Sequence, residues 1–232
     1  MRTRSKQSKL SVVIFIFSSL TALWITNFLH PAHAGDETWK SEMVADALLA
    51  APPSVTDNAR IYGWTADGEL TLVRYGTGPY TCVSSGAFSL RVGKPPLPYP
   101  DPMCMDQNAW AFLQAVWSEK NPIEPEKPYP TAPGLVWMLA GMSVNKGAVA
   151  VGASETSVIK ATAGEAGGEV FQMTPHVMIM PVPFNKEVAK LPTRYDLDNP
   201  LSAWIMAAGT PYEHLMVHFS ADDVTAIMEA GK

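Results

Sequence analysis

Two short stretches hold the residues best suited to chemistry, Pro175-His176-Val177-Met178-Ile179-Met180-Pro181 and Glu213-His214-Leu215-Met216-Val217-His218-Phe219. Successive side chains of a β-strand point to opposite faces. As strands, these stretches put His176, Met178 and Met180 on one face and His214, Met216 and His218 on another, with Val177, Ile179, Leu215 and Val217 on the reverse sides. Imidazole nitrogen and thioether sulfur together select a soft ion, Cu(I) above all, whereas Mg²⁺ and Ca²⁺ require oxygen. With the two strands as neighbours, His176, Met178, His214, Met216 and His218 form a candidate copper site, and Met180 lies beside them. The same residues also suit a packing role. Methionine fills irregular core space, and a histidine opening a strand is satisfied by a backbone carbonyl or by a carboxylate such as Glu213. A pocket for a small organic ligand is the third reading.

Signals for catalysis are thinner. His214-x-x-x-His218 lacks the glutamate of the zinc-protease helix motif. The chain contains no Gly-x-Ser-x-Gly elbow, no phosphate-binding glycine loop with lysine and no Cys-x-x-Cys pair, so no catalytic residue is assigned. The enzyme alternative is a periplasmic hydrolase with His176 or His214 as base and Asp101, Asp106, Asp222 or Asp223 as orienter. The leading expectation is a non-enzymatic exported binding or structural protein, with copper binding through the His/Met face as its sharpest form.

The compartment follows from the N-terminus. Arg2, Arg4, Lys6 and Lys9 precede an apolar run from Leu10 to Leu29, and Pro31-Ala32-His33-Ala34 supplies a small-x-small ending. Residues 1–34 therefore read as a secretory signal peptide cleaved after Ala34, which leaves 35–232 as a single exported domain, periplasmic or extracellular. An uncleaved anchor of about 20 residues is the alternative. Removing those four basic residues from 17 Lys+Arg leaves 13 against 22 Asp+Glu, a net of −9. Nucleic acids and anionic membrane surfaces demand clustered positive charge, so neither is an expected partner. No stretch after residue 34 is long and apolar enough to embed the mature chain in a bilayer.

Cys82 and Cys104 are the two cysteines of the chain, and in an oxidising compartment they are expected to pair. Closing a loop of about 22 residues stabilises a fold by roughly 3 kcal/mol in the chain-entropy model. The rival reading, two thiolate metal ligands, lacks the close spacing of such sites.

The elements that must position these groups can be read in outline. Asp36 suits the N-cap of a helix carrying Trp39, Met43, Ala47 and Ala50, which Pro52-Pro53 stops. Arg60 to Tyr75 reads as a hairpin turning through Ala66-Asp67-Gly68. Lys94 to Pro102 is too rich in proline for a helix or a central strand. Asp106 caps a helix running to about Glu119, with Trp110, Leu113 and Trp117 on one face. Leu135 to Ala140 suits a buried strand, and Gly141 to Gly168 a long loop. Trp204-Ile205-Met206, a turn at Gly209-Thr210-Pro211 and the strand from His214 make a second hairpin, and Asp222 to Ala230 a closing helix. The sum is an α+β fold, a mainly antiparallel sheet with two or three helices packed to one side and one disulfide.

The blocks Gly76-Thr77-Gly78-Pro79-Tyr80-Thr81-Cys82 and Pro102-Met103-Cys104-Met105-Asp106, followed by the two His/Met stretches, resemble a family of uncharacterised exported bacterial proteins. The resemblance spans most of the mature chain and implies export. It implies no reaction, cofactor or catalytic residue. The family pattern has a turn richer in Asn and Trp before its first cysteine and a proline at the position of His218, so the resemblance lends that histidine no support as a ligand.

Overall fold

The described residues form ten short strands. They are β1 (Arg60–Trp64), β2 (Leu70–Arg74), β3 (Thr81–Val83), β4 (Met103–Met105), β5 (Gly134–Met138), β6 (Met142–Asn145), β7 (Val170–Met173), β8 (His176–Met180), β9 (Trp204–Met206) and β10 (His214–His218). The helices are α1 (Ala34–Ala47), α2 (Pro53–Thr56), α3 (Gln107–Ser118), α4 (Lys186–Ala189) and α5 (Ala221–Ala230). This computed structural model describes residues 34–119, 121–122, 124–145 and 170–232. The expected leader, but for Ala34, and the expected loop from residue 146 on lie outside the described residues.

Eight strands join one sheet in the order β2-β1-β3-β4-β5-β8-β10-β9, while β6 and β7 form a separate antiparallel pair. Within the large sheet only β1 and β3 run parallel. The expected hairpin forms β1 and β2, and Gly68 takes the positive φ of 79° that its turn needs. The second hairpin forms β9 and β10. The α+β architecture with a mainly antiparallel sheet and one disulfide is thus present.

Register and alternation divide the sheet into two apolar faces. One cross-strand row runs Ile61, Cys82, Cys104, Trp137, Val177, Val217. Its neighbour on the opposite face runs Met105, Val136, Met178, Met216, Trp204. Helix α1 packs Val44 and Ala47 against the first face, and α3 packs Ala109, Phe112, Leu113 and Val116 against the second. Helices therefore cover both sides of the sheet, not one as expected. The cause is local: Met103-Cys104-Met105 is buried at every position, so both faces of the central strands need cover.

Helix α3 is tied to the sheet by its cap. Asp106 Oδ1 accepts the Ala109 N–H at 2.8 Å and Oδ2 accepts the Leu135 N–H at 2.9 Å. Gly134 allows the helix start to lie on β5, because a Cβ there would sit 2.1 Å from the Ala109 nitrogen. Asp36 lies inside α1, which begins at Ala34, so the expected N-cap is displaced. Ser220 caps α5 in a reciprocal box with Asp223.

The cysteines pair as expected and enclose the proline-rich interval: Cys82 of β3 stands directly opposite Cys104 of β4, and both are fully buried. One further expectation changes. Residues 142–145 belong to a strand paired with β7, not to the start of a loop. Among the described residues no helix is long and apolar enough to cross a membrane.

Candidate metal centre

Strands β8 and β10 are antiparallel neighbours, and their register sets the site. Leu215 faces Ile179, Met216 faces Met178, Val217 faces Val177 and His218 faces His176. His176, Met178, Met180, His214, Met216 and His218 therefore share one face, as the alternation requires, and all six are buried. The lateral neighbours extend the patch. Met138 of β5 stands opposite His176, and Met206 of β9 opposite His214. Met180 lies one register step past the Leu215–Ile179 pair, on the His214 side.

That register corrects the idea of one shared pocket. His176 pairs with His218, while His214 lies four positions along β10, roughly 13 Å at about 3.3 Å per residue. One ion bound to both rings would need their nitrogens within about 4 Å, given metal–nitrogen bonds of about 2 Å. The Met178–Met216 row stands between them. The face divides into a His176 end with Met138 and Met178, and a His214 end with Met180, Met206 and Met216.

Each ring is fixed by its Nδ1. His176 Nδ1 lies 2.8 Å from the Thr174 carbonyl oxygen, and His214 Nδ1 lies 2.9 Å from that of Tyr212. A carbonyl only accepts, so Nδ1 carries the proton in both, and Nε2 is left as a bare lone pair. Neither Nε2 has a hydrogen-bond partner, and both are buried. A backbone carbonyl holding the far nitrogen is the arrangement that orients metal-ligating imidazoles.

His218 differs. Its Nε2 accepts the Trp204 indole N–H at 2.8 Å, which leaves Nδ1 to donate to Thr174 Oγ1 at 2.8 Å. The Thr174 hydroxyl in turn donates a hydrogen bond to the Pro200 carbonyl at 3.2 Å. Both nitrogens are thus committed, and His218 is not an available ligand. Its ring lies 5.2 Å, centroid to centroid, from those of His176 and Tyr195.

All three imidazoles are held neutral. Burial, reinforced by the closeness of the second titrating ring, His218, and opposed by the Thr174 carbonyl, pushes His176 down to about 3. Burial pushes His214 down to about 4, against the Tyr212 carbonyl, and pushes His218 to about 4. Neutral imidazole is the ligating form.

The hydrolase alternative gains nothing from this geometry. A base needs its lone pair within reach of a hydroxyl and its other nitrogen on an orienting group. Neither Nε2 meets one, and Asp101, Asp106, Asp222 and Asp223 are hydrogen-bond partners of none of the histidines among the described residues. Asp106 and Asp223 serve helix starts instead.

Sequence spacing missed Met138 and Met206. Each sits on a strand whose alternation was visible, but only the tertiary order of strands brings it beside a histidine. No family model matches the chain, and no curated protein or solved structure is significantly similar to it.

Proposed function

We propose that this chain is an exported protein that holds one Cu(I) ion at His214 Nε2, with thioether ligands drawn from Met180, Met206 and Met216. The carrying observation is the buried, unpartnered Nε2 of His214 on a sheet face where β8, β9 and β10 each contribute a methionine. Leaving such an acceptor unpaired costs a fold about 1–3 kcal/mol, which a ligand at that nitrogen relieves. Imidazole with thioether favours a soft ion, and a wholly neutral ligand set buries one positive charge at lower cost than two. The cysteines do not compete, because they are joined to each other. A disulfide is compatible with export, and the likeness of the Gly76–Cys82 and Pro102–Asp106 blocks to exported bacterial proteins belongs to the same reading.

The second reading is packing alone. It is supported by the sealing of both rings, whose bonds to Thr174 and Tyr212 pin the entry to β8 and to β10. Competition for Cu(I) against a chromogenic chelator separates the two. The proposal expects one tightly held equivalent, weakened at least tenfold by His214→Ala and much less by His176→Ala. Failure of the folded protein to compete for Cu(I), or equal retention by His214→Ala, leaves packing as the account.

A further inference from the structure

A second polar centre lies away from the histidines, where α1, the loop after β3 and the proline-rich segment before β4 meet. A cleft of about 280 Å³ opens there, lined by Glu42, Asp46 and Asp101, with Met43, Leu90 and Leu97 among its apolar walls. Its size falls just under the usual range for small-ligand pockets, about 300–1,000 Å³.

The carboxyl groups are held by a specific network. Asp46 Oδ2 accepts the Ser85 N–H at 2.5 Å, and Oδ1 accepts the Ser85 hydroxyl at 3.0 Å. The same hydroxyl oxygen accepts the Asp101 N–H at 2.9 Å, and Asp101 Oδ1 accepts the Gly86 N–H at 2.9 Å. Asp101 Oδ2 is left with no partner, although the residue is 2 % exposed. Gly86 makes the close turn possible at a φ of 127°, where a side chain would be strained.

A buried carboxylate oxygen without a donor is costly, and a cation that can donate hydrogen bonds relieves it. No Lys, Arg or His is among the residues lining the cleft. A hard divalent ion is disfavoured, because no group of three or more His, Cys, Asp or Glu among the described residues is arranged to hold a metal. We infer that this cleft binds the ammonium group of a small aliphatic amine, with Asp101 Oδ2 as the principal acceptor, Asp46 and Glu42 supplying negative potential, and the alkyl stem against Leu90 and Leu97. Burial pushes the Asp101 carboxyl up to about 6 against the Gly86 hydrogen bond, and the like charge of Asp46 adds to the rise.

The test is calorimetric titration of the oxidised protein, expressed from the full chain, with n-butylamine and with the uncharged n-butanol. N-acetyl-lysine methylamide runs in parallel to tell a free amine from a lysine side chain. Saturable binding of either amine, none of the alcohol, and at least a tenfold loss in Asp101→Asn carry the inference. Leu97→Lys places a tethered ammonium at the cleft wall, and it abolishes amine binding without touching the carboxyl network. Absence of saturable amine binding, equal binding of the alcohol, or undiminished binding by either folded variant overturns it.

Discussion

Trp204 donates its indole N–H to Nε2 of His218 across 2.8 Å, and this one bond decides which histidines of the sheet face retain a free lone pair. His218 is the direct cross-strand neighbour of His176, so spacing alone would make it the nearest co-ligand. Its commitment to Trp204 and Thr174 turns it into a buried strut. His176 and His214 lack any such donor and keep Nε2 bare.

The Trp204–His218 bond is expected to show as energetic coupling. Trp204→Phe leaves the His218 acceptor unsatisfied in a buried place and costs about 1–3 kcal/mol. In a cycle with His218→Leu the two effects combine non-additively, with a coupling of about 1 kcal/mol measured by urea unfolding. Additivity within the error of the cycle contradicts the assignment.

Acid should destabilise the protein. The three imidazoles are neutral in the fold down to about 3 for His176 and about 4 for His214 and His218, against an ordinary value of 6.5. The unfolded chain takes up their protons as pH falls through that ordinary value, so their stability is present above it and lost as pH falls through the folded values. Asp101 acts in the opposite sense. Its folded pKa is raised to about 6, so its contribution is full below the ordinary 3.8 and is lost as pH rises through about 6. Asp46, also raised by burial, acts in the same sense as Asp101. Three imidazole protons outweigh two carboxyl protons, so the unfolding free energy should fall from pH 6.5 to pH 4 by on the order of 1 kcal/mol per pH unit, and the unfolding midpoints with it. Midpoints that rise on acidification contradict this balance.

Opening the disulfide removes a constraint across 22 residues of chain. The Cys82→Ala, Cys104→Ala double variant is expected to lose about 3 kcal/mol in chemical denaturation. Strands β3 and β4 have three residues each, and the link joins them at their middle pair. A loss below about 1 kcal/mol would show that their backbone ladder suffices.

Gly134→Ala is expected to be among the more damaging single changes. The added carbon would lie 2.1 Å from the Ala109 nitrogen and 2.6 Å from Asp106 Oδ1, so α3 must lift from β5. Overpacking of this kind costs about 3 kcal/mol. Thermal unfolding of the variant at or near the wild-type midpoint contradicts the close approach.

What was legible in the sequence followed local rules. Alternation in His176–Met180 and His214–His218 identified the face, Asp67-Gly68 the first turn, and Asp106 a helix start that the structure keeps. The cysteine pair needed no more than its number and the expected compartment. Strands β3 and β4 were hidden because three residues cannot show a period and proline-rich chain lies between them. The covering of both sheet faces was hidden for a related reason: a strand that is apolar on both sides does not say which helix packs where. The site was half legible. That His176 meets His218, that Trp204 satisfies that ring, and that Met206 reaches His214 are facts of strand order, which no spacing along the chain encodes.

X-ray absorption at the copper edge of the Cu(I)-loaded protein tests the central claim most directly, because it reads the ligating atoms themselves. The expected result is a first shell of mixed nitrogen and sulfur. Its sulfur component should drop in Met180→Leu, Met206→Leu, a pair that keeps the volume and apolarity of the two side chains. A shell of nitrogen and oxygen alone, or a sulfur component unchanged in that double variant, contradicts copper binding at His214.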